Sequence, residues 1–213
     1  MNLANWPHLF RPAPAPAAAP TLLLLHGTGG NEHDLVSLAD RVAPGAALLA
    51  PRGLVSENGA NRFFARLGEG RFDPAEVIAR TAQLASFIQA ALLHYDLAPA
   101  AQGPLYALGF SNGANVCATL LQLHPEVPLA GAALLRPMLV LDQPAAPASL
   151  TGRNILLLNG DHDPIVPIDH PPRLAALLRS GGAEVTATLL RASHGITADD
   201  IVHLKAFFHR PRV

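Results

Sequence analysis

Leu105-Tyr-Ala-Leu-Gly-Phe-Ser-Asn-Gly-Ala-Asn115 reads as a short apolar strand that turns abruptly into a helix. The turn is Gly109-Phe-Ser-Asn-Gly113, a G-x-S-x-G pattern. A serine on such a strand-to-helix elbow is held in a strained conformation that lifts its hydroxyl above a sheet. Glycines flank it because strand and helix approach too closely there for a side chain. As a bare pattern this signal is weak. It gains meaning only if strands, helices, an acid, a base and oxyanion donors appear in the right chain order.

Working outward, the patterning alternates between strand-like and helix-like segments. Thr21-Leu-Leu-Leu-Leu-His26 is a continuous apolar run, as expected of a strand buried on both faces of a parallel sheet, and Gly27-Thr-Gly-Gly30 ends it. Asn31 can cap a helix over about Glu32 to Val42, and Ala46 to Ala50 is the next strand. Residues 52–72 look irregular. Asp73-Pro-Ala-Glu76 opens a long helix that runs to about Tyr95. After the elbow come a helix to about Leu123, strands at Leu129 to Leu135 and from Asn154 to Leu158, and a helix from Pro172 to Ser180. A strand at Glu184 to Leu190, of edge character, and a helix capped by Thr197 complete the chain. The expectation is an α/β fold with a mostly parallel sheet and helices on both faces. Residues 1–20 form an extended Pro/Ala-rich arm, and 21–213 form one domain.

Composition removes several classes of function. Net charge is −1, with acidic and basic residues scattered, so nothing points to nucleic acid or an anionic membrane surface. No window of about 20 apolar residues could span a bilayer, and the first residues lack the basic-then-apolar order of a secretory signal. A single cysteine, Cys117, suits a reducing cytoplasm and reads as a small buried residue rather than a reactive thiol.

In a doubly covered parallel sheet, function gathers at the carboxyl ends of the strands. His26-Gly-Thr-Gly-Gly30, Ser111, Asp161 and Asp163, and Ser193-His194-Gly195 all fall there, in the order serine, acid, histidine. A serine hydroxyl attacks an acyl carbon only if a base removes its proton, and His194 is the candidate base. Asp163 is preferred as the acid that orients the imidazole, because Asp163-Pro-Ile-Val-Pro167 begins the excursion over the site. Asp161 then reads as a turn former. The backbone N–H groups of Thr28 and Asn112 are candidate oxyanion donors. His26 reads as structural, and the flexible spacing of His162, Asp161, Asp163 and His170 is not a metal-binding pattern.

Four segments together resemble the phospholipase/carboxylesterase (acyl-protein thioesterase-like) family of α/β-hydrolases. They are Leu25-His-Gly-Thr-Gly-Gly30, Gly109-Phe-Ser-Asn-Gly-Ala114, Asp163-Pro-Ile-Val-Pro167 and Ser193-His194-Gly195. The resemblance covers nearly the whole chain from Thr21. It implies a triad of Ser111, Asp163 and His194, oxyanion donors at Thr28 and Asn112, and no cofactor or metal. Pro51-Arg-Gly53, Glu57-Asn-Gly59 and Arg62-Phe-Phe64 resemble a bacterial carboxylesterase-like branch. The thioesterase branch usually has a tryptophan-containing segment at 62–64 and a glutamine in place of Asn112.

Many α/β-hydrolases insert a cap domain after the strand that follows the nucleophile helix. Here the stretch between Leu135 and Asn154 is too short for one. An open cleft is expected, roofed by loops 52–72 and 136–150 and the turn after Asp163. Phe63, Phe64, Met138 and Ile165 are the candidate substrate contacts, each equally readable as ordinary core packing, and Arg62 and Arg66 could meet a substrate carboxylate or be solvated loop arginines. The expected partner is a small ester, with an exposed apolar rim suiting a homodimer. Thioester or lysolipid cleavage, or a non-catalytic binding role on the same fold, are the alternatives.

Overall fold

The computed structural model describes residues 3–15, 19–97 and 103–209. A 3-10 turn, Leu3–Asn5, leads into strand β1, His8–Arg11, then β2, Thr21–Leu25, and helix α1, Val36–Val42. Strand β3, Ala47–Pro51, is followed by a small hairpin of β4, Val55–Glu57, and β5, Ala60–Arg62, and by helix α2, Pro74–His94. The elbow strand is β6, Leu105–Phe110, and its helix is α3, Asn112–Leu123. Then come β7, Leu129–Leu135, β8, Asn154–Gly160, α4, His170–Ser180, β9, Glu184–Leu190, and α5, Ala198–Phe208.

Seven strands form one sheet in the order β1-β3-β2-β6-β7-β8-β9. All neighbours pair in parallel except β1, which is antiparallel to β3. Period-2 alternation sends successive residues to opposite faces. Leu23, Leu25, Leu49 and Leu157 join the core beneath α2, α3 and α4, while Leu22, Leu24, Leu48 and Leu158 join the one beneath α1 and α5. The two cores explain why the strands read as unbroken apolar runs. Among the described residues, no helix is long and apolar enough to cross a membrane.

Within the extended lead-in, His8–Arg11 is a strand of this sheet. Trp6 is buried, donates from Nε1 to the carbonyl of Arg52 at 2.8 Å, and packs 4.9 Å from the ring of Phe87. Residues 16–18, within the Pro/Ala run, lie outside the described residues. Two expectations fail. Helix α1 starts at Val36 rather than near Glu32, because the Asn31 side chain takes the His33 N–H at 2.8 Å and holds a turn instead of capping a helix. And the stretch 52–72 is not wholly irregular: it contains the β4–β5 hairpin, whose Asn58-Gly59 turn has positive φ at both residues (51° and 82°), the requirement of a type I′ hairpin.

The elbow is built as its glycines demand. Ser111 has φ 50° and ψ −115°, a left-handed conformation costly for a residue with a Cβ. A Cβ on Gly113 would stand 2.0 Å from the carbonyl oxygen of Leu25, and one on Gly109 2.8 Å from Cα of Ala114. Neither neighbour can move aside, since both are backbone of the central sheet and its helix. Gly113→Ala is therefore expected to destabilise the fold by about 3 kcal/mol or more, measured as a lowered urea midpoint at unchanged slope.

Candidate active site

Parallel pairing brings the carboxyl ends of five strands to one edge of the sheet. Leu25 pairs with Gly109, Phe110 with Leu135, Leu135 with Leu158, and Gly160 with Leu190. The loops that leave β2, β6, β8 and β9 therefore meet, and with them the residues singled out in the sequence.

Ser111, His194 and Asp163 form a continuous relay. His194 Nε2 lies 2.9 Å from Ser111 Oγ, and His194 Nδ1 lies 2.8 Å from Asp163 Oδ2. A carboxylate can only accept, so Nδ1 carries the proton and the Nε2 lone pair of the neutral ring faces the serine hydroxyl. The Asp163 side chain is 1% exposed. Its other oxygen accepts the N–H groups of Ile165 at 2.8 Å and Val166 at 3.3 Å, so the carboxylate is fixed on both sides. Asp161 instead takes the Ala192 N–H at 3.2 Å and pairs with His162 at the surface. Such a relay can draw a proton from the hydroxyl while the carboxylate stabilises the imidazolium that results.

Thr28 and Asn112 line the cavity in front of Ser111. Among the described residues, no backbone carbonyl outside α3 takes either of their N–H groups, and Asn112 opens helix α3, whose dipole favours negative charge at that end. The β4–β5 hairpin braces both segments. Asn61 accepts the Gly29 N–H at 2.9 Å and donates to the Gly30 carbonyl at 2.9 Å, and Arg62 donates to the Thr28 hydroxyl. The Phe63 N–H is received by Asn112 Oδ1 at 2.7 Å. His26 supports the same loop from inside: it bonds the Gly27 carbonyl at 2.7 Å and accepts the Gly53 N–H at 2.9 Å. Burial pushes the His26 pKa down, against the raising effect of its bond to Gly27, which keeps the ring neutral as that acceptor role requires.

The cavity has a volume of about 330 Å³. Of the four candidate contacts, Met138 and Ile165 stand in its wall, and Phe63 and Phe64 do not. Both are buried in the core, Phe63 against His26 at 4.9 Å and Phe64 edge-on to Phe72 at 5.4 Å. The chain turns inward after β5, so the large apolar rings go to the core. Phe72, Phe110, Asn115 and Val166 line the cavity in their stead; the last three fall inside the elbow and acid-turn stretches, while no local motif marks Phe72. Cys117 lies in the core with its thiol pushed up to about 12 by burial. Among the described residues there is no cluster of metal-binding side chains.

One residue that the sequence reading missed holds the histidine loop. Arg136, fully buried at the end of β7, spends its guanidinium on five acceptors. Nε donates to the Ser193 carbonyl at 3.0 Å, Nη1 to the Leu158 carbonyl at 3.2 Å and Asp200 at 2.8 Å, and Nη2 to the Gly195 carbonyl at 2.7 Å and Asp200 at 2.8 Å. The carbonyls of Ser193 and Gly195 bracket His194. Asp200 in turn receives the Thr197 N–H at 2.7 Å and completes the capping box of α5. Burial would push the Asp200 carboxyl up, but the bonds from Arg136 and Thr197 outweigh it and hold it below the usual carboxylate value. Its contribution to stability is therefore present above the unfolded-state pKa and is lost as pH falls through the depressed folded value. Asp200→Asn leaves a buried guanidinium without its counter-charge. It should cost about 3–5 kcal/mol in urea unfolding at neutral pH, and the difference from the parent should shrink as pH falls below about 4.

No family model matches the chain. It is 38% identical over 187 residues to MhqD of Bacillus subtilis (strain 168), a protein named as a hydrolase, with 88% of this chain and 91% of that one covered. Its structure is similar to that of a carboxylesterase from Bacillus cereus, with TM-score 0.89, 38% identity, and 96% and 94% of the two chains covered. A carboxylesterase from Mesorhizobium loti matches with TM-score 0.83 at 34% identity, over 97% of this chain and all of the other. With the α/β architecture and the site at the strand ends, these relationships lead to one conclusion: the chain belongs to the phospholipase/carboxylesterase family of α/β-hydrolases and is a carboxylic ester hydrolase.

Proposed function

We propose that the chain cleaves small carboxylic esters through an acyl-enzyme formed on Ser111. The observation that carries this reading is the relay from Asp163 through His194 to Ser111, with contacts of 2.8 and 2.9 Å. In the first half-reaction Ser111 Oγ attacks the ester carbonyl carbon as His194 Nε2 takes the hydroxyl proton. The carbonyl oxygen gathers negative charge and is received by the N–H groups of Thr28 and Asn112. Asp163 holds the ring in register and stabilises its charged form. Collapse of the tetrahedral adduct breaks the bond to the alcohol oxygen, which leaves with the proton from His194. Water then attacks the acyl-serine by the same route in reverse, giving up its proton to His194. The carboxylic acid departs and the hydroxyl of Ser111 is restored.

A cavity of about 330 Å³, at the small end of ligand sites, supports short esters over long-chain lipids. Ser111→Ala is expected to lower kcat/KM on 4-nitrophenyl butyrate by roughly 10⁴- to 10⁶-fold and to abolish labelling by a fluorophosphonate probe. Its circular dichroism and urea midpoint should stay close to those of the parent. A folded Ser111→Ala protein with more than about a tenth of parental activity would sink the mechanism.

A further inference from the structure

The cavity walls differ in character. Residues 138, 165 and 166 contribute apolar surface, and the end of β5 and the loop after it contribute two arginines, Arg62 and Arg66. Arg62 is unusual for an arginine of a small surface hairpin, since its side chain is 5% exposed. Its Nε donates to the Phe64 carbonyl at 3.0 Å and its Nη1 to the Thr28 hydroxyl, both neutral acceptors. Among the described residues no hydrogen-bond acceptor meets Nη2.

A buried cation ordinarily has a carboxylate of its own. The one near Arg62 is Glu57, at 3.4 Å, and it is already engaged by Arg66 at 2.6 Å. Two guanidiniums thus share one carboxylate, and the buried one holds it less closely: Glu57 Oε2 lies 3.4 Å from Arg62 with no hydrogen bond, while Oε1 accepts from Arg66. Arg66 and Glu69, also in the wall, are exposed at the rim, where water screens both. Burial pushes the Arg62 pKa down, with Glu57 acting against that and Arg66 adding to it, yet a guanidinium keeps its proton under such conditions. A desolvated fork with an open edge and no full counter-charge is what a carboxylate recognises.

We propose that Arg62, assisted by Arg66, forms an anion subsite, and that the preferred ester carries a carboxylate a short distance from the scissile bond. This rests on Ser111 as the nucleophile and adds the substrate class. The apolar wall receives the uncharged part of the molecule. The bond between Arg62 and Thr28 places the subsite beside the oxyanion loop, so one ester can reach both.

The test compares matched pairs on the parent enzyme. For an acid-borne charge the pair is 4-nitrophenyl hemisuccinate and 4-nitrophenyl butyrate. For an alcohol-borne charge it is 4-carboxyphenyl acetate and 4-carbamoylphenyl acetate. In at least one pair the anion should have the lower KM by roughly tenfold, and the advantage should decline as salt rises. Arg62→Met should remove that advantage by raising KM for the anion, and Arg66→Met should reduce it. A parent enzyme that hydrolyses the neutral esters but shows no preference for either anion overturns the subsite and leaves the Ser111 mechanism standing. Loss of turnover on both members in Arg62→Met, with their KM ratio kept, would assign Arg62 to bracing the Thr28 loop and likewise overturn the proposal. Absence of turnover on any ester would refute the Ser111 reading itself.

Discussion

The buried ion pair between Arg136 and Asp200 is the constraint on which the site depends. Every polar hydrogen of the guanidinium has an acceptor, which is the condition under which an internal charge pair can offset its loss of water. Through it the ends of β7 and β8, the loop carrying His194 and the first turn of α5 are fastened together. The imidazole can then stand at a fixed distance from a serine that belongs to a different strand. The strained turn at Ser111 depends on comparable support: its N–H is donated to the Leu135 carbonyl at 2.9 Å, one residue before Arg136. The two ends of the relay are thus referred to the same point of the sheet.

Much of this was legible because it is local or periodic. Apolar runs such as Thr21 to Leu25 announce strands covered on both faces, and the elbow, the acid turn and the histidine turn can be recognised from short windows. Thr197 and Asp200 form a cap that three-residue spacing reveals. What was hidden depends on distant partners. Nothing near Arg136 in the sequence says that its acceptors lie at residues 158, 193, 195 and 200. Nor does the run Arg62-Phe-Phe64 say which of its side chains faces the cavity. Aromatic residues beside a site motif suggest substrate contact, but here burial in the core claimed both rings and the arginine took the wall. Asn58-Gly59 did carry a hairpin signal, and short strands on either side obscured it. Asn31 had two uses available, a turn or a cap, and only the packing of α1 decides between them.

The hairpin shows how a small appendage can condition chemistry. It lies outside the main sheet, yet bonds from Asn61, Arg62 and Phe63 reach the Thr28 loop and the Asn112 side chain. The donors that would receive a developing oxyanion are held by an element that residues 52–72 alone supply. Variation in that stretch can therefore alter both the shape of the cleft and the stiffness of its donors, while the relay beneath stays the same.

Cys117 has a consequence of a different kind. It sits on α3, in the core beneath the turn that carries Ser111, and its thiol is fully buried. A thiolate is needed for alkylation or disulfide exchange, so the native molecule is inert to thiol-directed electrophiles and to oxidants that act through that group. Reaction requires the core around α3 to open. The only sulfhydryl in the chain is thus a built-in reporter of local opening around α3, the helix that follows Ser111: its modification rate counts how often that core comes apart.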